Sequence, residues 1–270
     1  MHTEFSTDSE ASVRSMLDAA LARGLRAVCI TDHMDLDFPH QEGMEDFGEN
    51  PPFLFDVEQY FNTLISLREE YRGRLEVRIG IEIGLQPHLG ERYRELVQAY
   101  PLDYVIGSVH LIRGMDPYYG KLFEGRPDEE AYREAFAETL HCLEGVSDFD
   151  SLGHLDYVVR YGKHQAEEYS YRKFSDEIDE VLKKLISMGK GLEMNTGGLK
   201  YGLGFCNPHP DVVKRYRELG GEIITIGADA HRAEHVAYEF EKAAEILKAC
   251  GFRYYAEYKG RAPEFRNIDL

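Results

Sequence analysis

Short β-rich runs alternate with longer amphipathic runs along this chain, and nearly every short run ends in, or just before, a His, Asp or Glu. Leu25–Thr31, Val77–Ile83, Asp103–Val109, Ser151–Gly153, Gly191–Met194 and Glu222–Ile226 read as strands. Helical periodicity marks residues 10–22, 56–72, 89–99, 128–144, 174–188, 209–219 and 234–250. That order predicts βα units around a parallel sheet. Asp56 with Gln59 resembles a capping box, and Gly189-Lys190-Gly191 suits a helix stop. Phe252–Tyr258 reads as a strand after the sheet, and segment 34–55, with three of the ten prolines and no period, as a loop covering a site.

The strand-end residues carry the chemistry. His33 follows the first run, Glu82 and His110 close the next two, His154 follows Ser151–Gly153, and Asp229 and His231 follow Glu222–Ile226. In a βα barrel the C-terminal strand ends converge on one face, so these residues would meet in one pocket. Imidazole and carboxylate donors suit Zn, Mn or Fe, and a carboxylate such as Glu82 can bridge two cations. Taken singly, each has a plainer reading: a surface histidine, an ion-pair partner in Glu82, a helix N-cap in Asp229. Their joint recurrence at one end of successive strands favours a metal site.

Composition narrows the partners. A formal charge of −18 disfavours nucleic acid, which calls for clustered Lys and Arg. The same charge would repel an anionic ester unless cations made the pocket positive. No stretch of about 18 apolar residues and no signal-peptide order is present, so a soluble, cytoplasmic protein without membrane partners is expected. Cys29, Cys142, Cys206 and Cys250 form no CxxC pair and read as reduced packing residues. With 270 residues and 43% hydrophobic content, one domain spanning 1–270 is expected.

The strings MHTEFSTDS, ITDH, GIEIG, GSVH, GHLD and GADAH, in that order, resemble the successive motifs of the polymerase-and-histidinol-phosphatase (PHP) superfamily. The resemblance implies a distorted seven-stranded βα barrel (TIM-like) with a trinuclear centre of divalent ions. On matching positions, His2, Glu82 and Asp229 would hold one ion, Glu82, His110 and His154 a second, and Asp8, His33 and His231 a third. Asp8 could instead cap the helix that follows. Glu82, Asp229 and His231 would be catalytic, and Arg160 and Lys200 would grip the substrate's phosphate. Relatives often carry Arg where this chain has Lys200, a point charge rather than a fork. The family opens with His-x-His, whereas this chain begins Met1-His2; the first strand is therefore expected to be truncated, and an upstream extension to tighten the first ion and raise the melting temperature.

GSVHLIRGMD and NTGGLKYG before Pro208 resemble the histidinol-phosphatase branch. The implied activity is hydrolysis of L-histidinol phosphate in histidine biosynthesis by a cation-activated water. Alternatives are a PHP phosphoesterase for another small phosphate ester and a non-catalytic metal-binding relative. Asn195 is open between a pocket hydrogen bond and a turn before Gly197-Gly198. His40, His88, His141, His164, His209 and His235 match no metal motif; most read as surface residues, His40 as a substrate contact if its loop closes over the pocket.

Overall fold

The computed structural model describes residues 1–47 and 51–268, so positions 48–50 of the expected covering loop lie outside the described residues. Helix α1 (Val13–Ala22) places Val13, Met16, Leu17 and Ala20 on one buried face. Its cap is Ser12, whose side chain accepts from the Ser15 amide, so Asp8 is free of that role. Strand β1 (Ala27–Ile30) and its two-residue continuation β2 (His33–Met34) both run parallel to β3 (Glu76–Gly84). Next come β4 (Tyr104–Ser108), β5 (Ser151–Leu152), β6 (Gly191–Asn195) and β7 (Ile224–Gly227), each parallel to its predecessor. After its first residue β3 is buried throughout, as a parallel strand covered on both faces must be.

The outer layer comprises α2 (Val57–Tyr71), α3 (Gly90–Ala99), α4 (Asp128–Gly145), α5 (Ser175–Ser187), the single turn α6 (Gly197–Lys200), α7 (Pro210–Glu218) and α8 (Phe240–Ala249). Asp56 caps α2 by accepting from the Gln59 amide at 3.0 Å. Helix α8 starts six residues later than its periodicity predicts, because Ala237 and Glu239 adopt left-handed φ values of 53°. Beyond it, Phe252–Tyr258 is only half of an antiparallel hairpin, β8 (Tyr254–Lys259) and β9 (Ala262–Asn267). The second strand escapes a pattern reading because Pro263 and exposed polar residues interrupt its alternation. The hairpin sits under the lower end of the sheet, where Arg78 donates to the Tyr258 carbonyl and the Tyr258 hydroxyl to the Asp150 carbonyl.

The result is a mostly parallel, curled sheet forming a half-barrel with helices. β1 and β7 do not pair; a cavity of about 400 Å³ lies between them, reaching from Arg26 and Ala256 below to His2, Glu82 and Asp229 above. Met1 and His2 bridge the upper end: the Thr31 amide donates to the Met1 carbonyl, and the His2 amide to the Ala230 carbonyl. These two residues stand where the truncated first strand was expected.

Asp32 fixes that bridge. Its carboxylate is fully buried and accepts from the Thr3 amide (2.5 Å), the Thr3 hydroxyl (2.9 Å) and the Ser6 hydroxyl (2.7 Å). Removing a buried acceptor strands its donors at roughly 1–3 kcal/mol each. Asp32→Ala should therefore lower unfolding free energy by about 3 kcal/mol in urea titration; a loss below about 0.5 kcal/mol would show that segment 2–6 is held by other contacts.

Candidate functional site

His33, Glu82, His110, His154, Asp229 and His231 each sit at or just beyond the upper end of a strand, whereas His2 and Asp8 precede α1. The β2–β3 register places His33 opposite Glu82. Glu82 lies at the centre: Oε1 is 3.1 Å from Nε2 of both His110 and His154, and Oε2 is 3.3 Å from His2 Nε2. His2 Nε2 is also 3.4 Å from Asp229 Oδ1. On the far side of His2, Asp8 Oδ2 lies 3.1 Å from His231 Nε2 and 3.7 Å from His33 Nε2. All three expected ligand groups are thus brought together, with Asp8, 43% exposed, at the open edge.

Three imidazoles are stacked, His2 at 4.1 Å from His33 and 4.2 Å from His231 between ring centroids. Stacking sets the three rings side by side, so that their nitrogens face one region. Among the described residues His33 Nδ1 is buried without a hydrogen-bond partner, and Asp8 faces His231. The donor atoms of His2, His33 and His231 lie within 4.8 Å of one another, as do those of His33, Glu82 and His110. This nitrogen and oxygen set fits divalent Zn, Mn or Fe.

Electrostatics point the same way. Despite desolvation, which alone would raise it, Glu82 is held well below the usual carboxylate range by hydrogen bonds with His110, His154 and His2. Asp229, equally buried, is held low by His2, His231 and Arg160. Burial would lower His2, but Asp229 and Glu82 lift it to about 9; burial and the charge on His2 press His33 down to about 4. Against its own burial, His110 is raised well above the imidazole range by Asp35 and then Glu82.

Asp229 follows β7 with φ of 50°, a left-handed conformation that Asp tolerates better than most residues. It is not a cap: α8 has no side-chain cap at its start. Arg160, in the 3-10 turn Tyr157–Tyr161, donates through Nε to Asn207 Oδ1 (2.8 Å) and through Nη1 to Asp229 Oδ2 (3.0 Å). Its Nη2 is buried without a partner. Lys200 Nζ donates to the Asp229 carbonyl at 2.9 Å, and burial lowers its ammonium from the usual value. Both expected phosphate-binding side chains therefore meet at Asp229.

Asn195 takes the turn role: Oδ1 accepts from the Gly197 amide at 2.8 Å, while Nδ2 donates to Glu193. A Cβ on Gly197 would stand 2.8 Å from both Arg160 Nη2 and Asn195 Oδ1, so only glycine leaves that guanidinium edge clear. His40, His88, His141 and His164 are exposed, and His209 and His235 half-buried. His40 is therefore not brought into the pocket. Phe53 of the 34–55 segment does cover one edge, its ring 5.6 Å from that of His33.

Several buried carboxylates were not singled out from sequence. Asp35 accepts from His110 Nδ1 at 2.6 Å, orienting that ring toward Glu82. Gly84 makes room for it, since a Cβ there would fall 2.5 Å from the Asp35 carboxyl carbon. Glu193 accepts from the His154 amide, and burial raises its pKa. Asp116 is also buried, and desolvation pushes it up to about 6. Asp35 lies two residues beyond His33, a spacing that offered a weak signal.

Glu82→Gln should abolish the central negative charge, cutting bound metal by elemental analysis and turnover by about 1,000-fold or more; full activity would remove Glu82 from the centre. Because His2 holds its proton to about pH 9, metal uptake at neutral pH should release protons, and affinity should rise with pH toward 9. Calorimetric titration in buffers of differing ionisation enthalpy reads this directly, and uptake without proton release would contradict it.

A family model described as the PHP domain matches residues 1–197. A probable histidinol-phosphatase from Clostridium acetobutylicum is 34% identical over 253 residues, covering 94% of this chain and 93% of that protein. The histidinol-phosphatase of Lactococcus lactis subsp. lactis is 32% identical, covering 96% of this chain and 93% of its own length. The crystal structure of histidinol phosphate phosphatase from Lactococcus lactis, complexed with zinc, L-histidinol and phosphate, superimposes with a TM-score of 0.86 at 30% identity, covering 98% of this chain and 97% of that one. The chain belongs to the PHP domain family.

Proposed function

We propose that this protein is a metal-dependent phosphomonoesterase that hydrolyses L-histidinol phosphate to L-histidinol and inorganic phosphate. The observation that carries the reading is the convergence of three His and carboxylate groups on Glu82 and His2 beside a guanidinium edge with no partner. The relatives named above as histidinol-phosphatases, and the zinc, L-histidinol and phosphate in the Lactococcus lactis complex, support both substrate and metal. Three ions is the number the ligand sets accommodate: His2, Glu82 and Asp229; Glu82, His110 and His154; Asp8, His33 and His231. The chain acts as a single domain in a cytoplasmic biosynthetic role, and no helix among the described residues is long and apolar enough to cross a membrane.

Divalent ions bound there supply Lewis acidity that polarises the phosphoryl oxygens and acidifies a water. The chain's own residues do the rest. Glu82, unprotonated across the neutral range, draws the imidazoles of His2, His110 and His154 to one centre. Asp229 divides its carboxylate between His2 and Arg160, coupling the metal face to the phosphate face. Arg160, fixed by Asn207 and lying against the rings of Tyr157 and Tyr201, directs Nη2 at an ester oxygen. Lys200, anchored on the Asp229 carbonyl, adds a second positive charge that compensates, locally, for the chain's −18.

The reading is tested by phosphate release from L-histidinol phosphate beside other phosphomonoesters, with Mn or Zn supplied and then chelated. Selective release that stops on chelation is expected; comparable rates on all esters would move the assignment to another small phosphate ester, and bound metal without hydrolysis would favour the non-catalytic alternative. Arg160→Ala should lower kcat/KM by about 100-fold or more, a loss of about 2.7 kcal/mol in transition-state binding, with Arg160→Lys only partly restoring it.

A further inference from the structure

The side chain that fixes Arg160 is itself fixed from behind. Asp156 stands at the start of the 3-10 turn Tyr157–Tyr161 that carries Arg160, and it is fully buried. Its carboxylate does not cap that turn. Instead Oδ1 accepts from Asn207 Nδ2 at 2.5 Å, and Oδ2 accepts from the His209 amide at 2.8 Å. Asn207, also fully buried, accepts through Oδ1 from Arg160 Nε at 2.8 Å. Its backbone is clasped to Asn195 in both directions, the amide of each residue donating to the carbonyl of the other at 2.7 and 2.8 Å.

A side-chain amide can be turned either way, and its two ends have opposite needs. The guanidinium of Arg160 can only donate, while both oxygens of Asp156 accept. Asp156 therefore decides the polarity of Asn207: with Nδ2 drawn to the carboxylate, Oδ1 is the atom left facing Arg160. Turned the other way, the amide would set its NH2 against Nε–H and leave a carboxylate oxygen without its donor, both costly where water is excluded. Arg160 itself offers three directions. Nε goes to Asn207 and Nη1 to Asp229 Oδ2, which leaves Nη2 buried without a partner. Two anchors fix the plane of the guanidinium; Asp229 alone would let it swing about a single contact.

We infer that Asp156 is a positioning residue for phosphate recognition, acting through Asn207 to hold Arg160 with Nη2 free for an ester oxygen. This rests on the phosphatase reading and adds to it the group that keeps the guanidinium aimed before substrate arrives. The same carboxylate also secures the amide of His209, the residue at which α7 begins, so its removal has a structural consequence of its own. The two roles differ in one respect: only the positioning role passes through Arg160.

Asp156→Asn keeps the shape of the side chain but accepts on one side only, so either Asn207 or the His209 amide loses its partner. In the metal-loaded protein this substitution should lower kcat/KM for both L-histidinol phosphate and phenyl phosphate by about 10-fold. The inhibition constant of inorganic phosphate should rise by about the same factor, with bound metal unchanged. Placed in Arg160→Ala, the same substitution should cost less than about 2-fold, because its effect passes through the guanidinium. An equal loss in both backgrounds, or a lower kcat with KM and phosphate inhibition unchanged, is the mark of a structural role alone and overturns the inference. If Asp156→Asn fails to fold, Asp156→Glu keeps both acceptors but displaces them by one methylene, and should show losses of about 3-fold that likewise vanish in Arg160→Ala. The inference and the activity fail separately. Equal rates on all phosphomonoesters remove the L-histidinol phosphate assignment and leave the coupling to Arg160 to be read on phenyl phosphate. If no ester is hydrolysed, the phosphatase reading falls and calorimetric titration of inorganic phosphate into the metal-loaded protein carries the comparison. Binding weakened about 10-fold by Asp156→Asn, and not weakened further in Arg160→Ala, supports the positioning role; unchanged binding overturns it.

Discussion

A buried carboxylate surrounded by imidazoles is the constraint on which the rest of this structure depends. Glu82 is 3% exposed at the centre of the half-barrel, where an unpaired charge would cost several kcal/mol even after relaxation. It is tolerable only because His110 and His154 reach it from two strand ends and His2 from the segment that precedes α1. Those imidazoles are held in turn. His110 is set by Asp35, His154 through the Glu193 contact with its amide, and His2 by a bridge that Asp32 fastens at Thr3 and Ser6. Strand order, the space left by Gly84 and the route of residues 1–6 all serve this one cluster.

The gap between β1 and β7 gives that cluster an unusual support. Strands β3 to β6 each pair with a neighbour on both sides, whereas between β1 and β7 the chain crosses from Thr31 to Ala230 through Met1 and His2. Three hydroxyl and amide donors on Asp32, with the terminal amine against Thr31 Oγ1, do the work a paired strand would otherwise do. His2 consequently keeps its place between Glu82 and Asp229. The hairpin β8–β9 closes the opposite end, with Tyr258 stacked on Tyr104 at 4.9 Å.

Charge is partitioned along the pocket. Asp229 links the two faces, touching His2 on one side and Arg160 on the other. Arg160 and Lys200 concentrate positive charge at that residue. An overall acidic protein can therefore present a local pair of cations at one edge of its pocket.

Much of this was legible in the sequence. The period of each segment identified the strands and most helices, and the recurrence of His, Asp and Glu at strand ends identified the central cluster, because in a parallel sheet chain direction alone sends those ends to one face. Resemblance of the ordered motifs added His2, Asp8, Arg160 and Lys200. What the sequence by itself could not decide were the partnerships between segments far apart in the chain. Nothing local joins Asp35 to His110 or Glu193 to the amide of His154. Nor did periodicity locate the β8–β9 pairing or the late start of α8, which depend on Pro263 and on left-handed residues whose conformation the fold imposes. The sequence determined which residues stand at the strand ends; only the tertiary structure decided which buried groups hold them, because desolvation and hydrogen-bond pairing are set by neighbours in space rather than in sequence.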